Sequence, residues 1–126
     1  MDNSFNDDEK LYRAVYDRNK KPSFWKRDGS LSSAALLTDD GLSVERGDYR
    51  EDNTVLYDMA GRLKGLGVAF YVGDCRNTDA VVLYKPTRSS KYHSEVHESS
   101  NNEILSPEQR LYIASCAVVV GTIPEK

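Results

Sequence analysis

Cysteine, histidine and tryptophan are scarce in this chain, at two, two and one among 126 residues. Two cysteines, Cys75 and Cys116, cannot build a disulfide framework and fall short of any structural zinc spacing, so they are expected as thiols in a reducing cytoplasm. No apolar run approaches the roughly 20 residues that cross a bilayer. The start, Met1 to Lys10, is acidic and polar where a signal peptide would be basic and then apolar, so a soluble cytoplasmic protein is expected. Charge of one sign is also missing: 17 Lys+Arg against 20 Asp+Glu give a net charge of -3. That balance argues against nucleic acid as the partner, since phosphate binding needs a cationic excess on at least one face. There is no internal repeat and no low-complexity tract. A chain of this length buries roughly two thirds of its unfolded surface, enough for a core without staples.

What is present is an irregular mixture of strand and helix signals. Residues 1–9 carry Asp2, Asp7, Asp8 and Glu9 with little apolar content and read as a disordered lead-in to a single domain over 10–126. Leu11 to Tyr16 is β-branched and aromatic and predicts a first strand, in which alternation sets Arg13 between Leu11 and Val15 on one face. Leu31 to Leu37 suits a short helix or turn, and Leu42 to Glu45 a short strand ending at Gly47-Asp48. Val55, Leu56, Met59, Ala60 and Leu63 share a helical face, with Asp52 or Asn53 as cap and Gly65 as stop, predicting a helix over Thr54 to Lys64. Val68 to Val72 and Ala80 to Lys85 read as strands around a polar loop, Gly73 to Asp79. Tyr92 to Glu98 alternates as an edge strand, with His93, Glu95 and His97 on one face. Ser106-Pro107-Glu108-Gln109 is a capping box that opens the last helix, and Val118 to Val120 is either its buried end or a terminal strand. The fold class is α+β: a mainly antiparallel sheet of about five strands with two principal helices.

In Leu11-Tyr12-Arg13, Leu31-Ser32-Ser33-Ala34-Ala35, Leu42-Ser43-Val44, Gly73-Asp74-Cys75-Arg76 and Tyr92-His93-Ser94-Glu95-Val96-His97, the chain resembles a group of small uncharacterised bacterial proteins. They carry those segments in that order, over most of their length. The resemblance implies a bacterial or phage-borne cytoplasmic protein and nothing catalytic. Leu36-Leu37 departs from the pattern, where an aromatic follows the paired alanines.

Four constellations could carry chemistry. His93-x-Glu95-x-His97 sets two imidazoles and a carboxylate on one side of a strand, but the three span about 13 Å at ~3.3 Å per residue, so the two histidines do not share one ion and no metal is assigned. Arg13, Ser33, His93, Glu95 and His97 together are the catalytic candidates, with Arg13 as an anion clamp, a histidine moving a proton and Glu95 orienting it. The order arginine, serine, glutamate is also that of ADP-ribosyltransferase-like folds; the plain alternative pairs Arg13 with a carboxylate. Cys75, beside Arg76, is a candidate nucleophile or an incidental loop thiol. Tyr84, Lys85, Arg88, Lys91 and Tyr92 form a basic, aromatic stretch suited to an acidic protein patch or a phosphate, or to plain solvation.

Eight tyrosines against three phenylalanines favour contact surfaces, since tyrosine covers apolar area and keeps a polar tip. The first expectation is therefore a small cytoplasmic binding or regulatory module acting through a protein partner, in a mobile-element or prophage setting. Its alternative is a small enzyme or nucleotide-binding domain built on the Arg, Ser, His and Glu residues above. No cofactor is expected, and an edge strand at Tyr92 to Glu98 predicts a homodimer through that edge.

Overall fold

The computed structural model describes residues 1–126. Six strands form one antiparallel sheet: β1 (Lys10–Val15), β2 (Leu42–Arg46), β3 (Leu66–Tyr71), β4 (Val81–Tyr84), β5 (His93–His97) and β6 (Val118–Thr122). Their order across the sheet is β4-β5-β2-β1-β3-β6. Three helices join them: α1 (Asp52–Met59), α2 (Val72–Arg76) and α3 (Pro107–Cys116). The α+β class and the mainly antiparallel sheet follow the sequence reading, with β6 as the additional strand. No helix is long and apolar enough to cross a membrane.

One face of the sheet is covered from β4 to β3. Leu11, Val15, Leu42, Val44, Val68, Phe70, Val82 and Val96 alternate onto it, and beneath them pack Ala35, Leu36, Cys75, Ile113 and Ala114 from a 3-10 segment (Ser33–Leu36), α2 and α3. The other face is covered over half its width only. There α1 lays Val55, Leu56 and Met59 on Tyr12, Ala69 and Ile123, so it shields β1, β3 and β6 and leaves β2, β5 and β4 open. Gly67 and Gly121 set this close approach: a Cβ on either would strike the end of Leu56, which sits in the hollow they leave.

Several local readings are corrected. α1 is capped by Glu51 without a side-chain bond and ends at Ala60, whose extended ψ of 145 and the following Gly61 at φ +88 turn the chain away before Gly65. Asp52 sits in the first turn, where its charge suits the helix dipole, and spends its carboxylate across the sheet on Tyr12 and Lys10. The expected loop Gly73 to Asp79 holds α2, because the Asp74 carboxylate accepts the Tyr71 N–H at 2.8 Å and Val72 and Cys75, three apart, both turn into the core. α3 opens as expected: Ser106 Oγ accepts from Gln109 N at 3.1 Å and Gln109 Oε1 from Ser106 N at 2.9 Å.

The lead-in packs against the sheet. Phe5 is 5% exposed and packs in the core, and Glu9 is buried. Arg46 organises it: Nε and Nη2 donate to the two Glu9 carboxylate oxygens at 2.8 Å each, Nη1 donates to Asp2 O at 2.7 Å, and the guanidinium carbon lies 3.9 Å from the Phe5 ring centroid. Burial opposes the charge on Arg46, but Glu9 outweighs it and holds the guanidinium above its ordinary pKa. β5 is not an edge strand, since β4 and β2 flank it, so the expected dimer through that edge has no free backbone to form on. The sheet ends at β4 and β6. The β4 edge is partly taken, because Asn3 Oδ1 accepts the Tyr84 N–H at 2.6 Å.

Candidate functional site

The open half of the sheet gathers side chains from three adjacent strands. Register pairs Tyr12 with Glu45 and Glu45 with His93, so a row runs across β1, β2 and β5 with Glu45 in the middle. Ser43 and Glu95 form the next row. Alternation explains this: Leu42, Val44, Ser94 and Val96 are spent on the covered face, so the residues between them point the other way. Over these rows lies a cleft of about 530 Å³, walled by Met59, Arg62 and Leu63 on one side and by Thr87 and Ser89 of the β4–β5 hairpin on the other.

Glu45 is the floor of the cleft and is only 4% exposed. Its Oε1 accepts from Ser90 Oγ at 2.8 Å and from Arg62 Nη2 at 3.2 Å. Its Oε2 takes no hydrogen bond from the protein, yet it is not sealed off: Arg110 Nε is the one fully buried side-chain polar atom without a partner. The free oxygen therefore meets solvent through the cleft. Beside it, His93 Nδ1 lies 2.8 Å from the Lys85 carbonyl oxygen. A carbonyl oxygen only accepts, so Nδ1 carries the hydrogen and Nε2 is the acceptor of the neutral ring. Tyr12, next in the row, donates its hydroxyl to Asp52 Oδ1 at 2.5 Å; burial and then that carboxylate push the phenol well above its ordinary pKa.

The structure divides the five catalytic candidates. His93, Glu95 and His97 share the open half, as alternation requires. Arg13 projects with Leu11 and Val15 toward the covered face, where Nε donates to Ala35 O at 3.4 Å and Nη1 to Ser43 O at 2.8 Å. Its burial lowers its pKa, and it reaches only the rim of the cleft. Ser33 opens the 3-10 segment on that same covered face, so the sheet stands between it and the histidines. A five-residue pocket, and with it the arrangement shared with ADP-ribosyltransferase-like folds, does not assemble. Two backbone carbonyls, of Ala35 in the 3-10 segment and Ser43 in β2, claim the guanidinium instead.

Glu95, His97 and Glu103 bring one donor atom each within 4.8 Å of one another. The Glu95 Oε1 of this set already meets His97 Nε2 at 2.8 Å and Lys85 Nζ at 3.6 Å, so it serves an ion-pair network, and Gly41 packs against it where a Cβ would stand 2.6 Å from His97 Nε2. Burial opposes ionisation of Glu95, but the hydrogen bond from His97 and the charge of Lys85 prevail and hold its carboxyl below the ordinary value. Cys75 is fully buried in α2; burial and then Asp74 push its thiol far up, which removes it as a nucleophile.

The basic, aromatic stretch is largely engaged within the chain. Tyr84 donates to Lys91 O at 2.6 Å, the Arg50 guanidinium lies 3.5 Å from the Tyr92 ring centroid, and Lys85 serves Glu95; Arg88 is exposed on the hairpin. Sequence reasoning missed Glu45, Arg62 and Arg46. The signal for Glu45 was its position: in Leu42-Ser43-Val44-Glu45 it alternates with apolar residues opposite a histidine-bearing strand. No protein-family model, curated protein or solved structure matches the chain.

Proposed function

We propose that the chain is a small binding or regulatory module that acts through a protein partner, in the bacterial, mobile-element or prophage cytoplasm that the resemblance implies. The observation that supports this reading is the contrast between the two sheet edges. β4 lends a backbone donor to Asn3, whereas β6 ends the sheet with Val118 and Val119 at 58% and 48% exposure and no charged side chain between Val118 and Thr122. Natural sheets protect such an edge with lysine, proline or a bulge. Here the bulge falls in β6 itself, with Val120 as the extra residue, and the Val118–Val119 end beyond it pairs regularly with Ala69 and Val68. A partner strand added there gains ladder hydrogen bonds and buries two valines at once.

A second copy of this chain is the alternative occupant, paired through β6 in place of β5. Val119→Lys places a charge on the exposed edge without touching the core and is the variant that tests the reading. Affinity capture from the host should recover one stoichiometric protein with the wild-type chain and lose it with the variant, whose circular dichroism stays unchanged. Sedimentation of the pure protein separates the self-paired case, in which the variant alone is monomeric. Equal capture by both chains, with both monomeric, overturns the proposal.

A further inference from the structure

The geometry points to the cleft above Glu45 as a binding site for a neutral planar heterocycle that offers adjacent N–H donors, with a guanine base as its commonest biological form. This inference is independent of the β6 edge. It rests on a nearly buried carboxylate with one oxygen fixed by Ser90 and Arg62 and the other left open to the cleft. A carboxylate oxygen only accepts, so whatever fills the cleft must bring a donor to it or leave a desolvated acceptor unpaired, at a cost of about 1–3 kcal/mol.

The neighbouring acceptor is Nε2 of the neutral His93 ring, whose Nδ1–H donates to the Lys85 carbonyl. Glu45 and His93 face each other across two strands, and such pairs hold their Cβ atoms about 5 Å apart, so the floor presents two acceptors side by side. Charge decides between a cationic and a neutral donor pair. Arg62 already pairs with Glu45 and Lys85 with Glu95. A guanidinium or amidinium ligand would meet these two cations, whereas a neutral ring meets none of that repulsion. Leu63, 38% exposed, supplies apolar surface for the ring, and the Ser89 hydroxyl on the opposite wall can donate to its carbonyl. Guanine matches this pattern with N1–H and the 2-amino group beside a carbonyl; adenine presents a ring acceptor where a donor is required.

Titration of the full chain with GMP, IMP and AMP, followed by amide resonances in a two-dimensional NMR spectrum, tests the assignment. All three nucleotides carry the same phosphate and ribose, so differences belong to the base. GMP should give saturable shifts at Glu45 and His93. IMP, lacking the 2-amino donor, should bind about tenfold more weakly, and AMP should give no saturable shift. Glu45→Gln should weaken GMP by at least about tenfold. Because Glu45 is buried, His93→Phe serves as a second variant at a half-exposed position, with the same loss expected. Val119→Lys, on the far edge, should bind GMP as the wild type does. Absence of saturable GMP shifts in the millimolar range, equal binding of AMP and GMP, or wild-type affinity in folded Glu45→Gln and His93→Phe proteins each overturns the inference.

Discussion

The two halves of the α1-bearing face are built from the same alternation and end in opposite chemistry. Under α1, the outward positions of β1, β3 and β6 are Tyr12, Ala14, Gly67, Ala69 and Val120, apolar or absent side chains that let a helix settle. Beside it, the outward positions of β2 and β5 are Ser43, Glu45, His93, Glu95 and His97. What differs is whether a helix arrives. Where it does, the chain supplies area to bury, and where it does not, it supplies groups that can stay wet. The cleft therefore lies in the wet half, while the dry half contributes packing and ends in the exposed β6 edge.

The largest way to break this division is to attack what holds the covered face closed at its N-terminal end. Arg46→Ala leaves Glu9 buried and uncompensated and frees the segment carrying Phe5, so a loss of about 3–5 kcal/mol is expected in urea unfolding. Limited proteolysis should then cut within residues 2–8; a variant as stable and as resistant as the parent would show the clamp to be ornamental. Next is Leu56→Ala, which empties the hollow between Gly67 and Gly121 and should cost about 2–5 kcal/mol. At the seam between the halves, Tyr12→Phe removes one hydrogen bond to Asp52 and should cost about 1 kcal/mol, with Asp52 losing the chief cause of its lowered pKa. Proton titration of Asp52 by NMR checks it: a carboxyl that still titrates as low as in the parent contradicts the assignment.

Legibility followed the same division. The strands, the capping box at Ser106 and the shared side of His93, Glu95 and His97 could be read because each depends on local periodicity or a local cap. What escaped depends on pairs far apart in sequence. Glu9 and Arg46 are 37 residues apart, and acidic residues 2–9 look like a solvated tail until their partner is known. Arg13 was correctly placed among apolar neighbours, but its destination was set by the backbone carbonyls of Ala35 and Ser43, which no residue type announces. The position of β5 inside the sheet, which removed the expected edge, is a matter of strand order, and alternation within one strand carries no information about its neighbours.

The smallest expected effect sharpens the comparison most, because it asks whether the wet half contributes to stability at all. Glu95 has a folded pKa held below its ordinary value of 4.5, with burial opposing and His97 and Lys85 prevailing. A depressed carboxyl stabilises the fold above the unfolded pKa and loses that contribution as pH falls through the folded one. Glu95 is partly exposed and Lys85 more so, so screening by water keeps the contribution to about 0.5 kcal/mol or less. Glu95→Gln should therefore unfold at slightly lower urea than the parent near neutral pH, with the gap closing as pH falls through the lowered folded pKa and also shrinking as salt is raised. A gap that persists unchanged in acid would mean that the carboxylate's charge is not what the network uses. The open half would then owe its order to shape, as the half beneath α1 does.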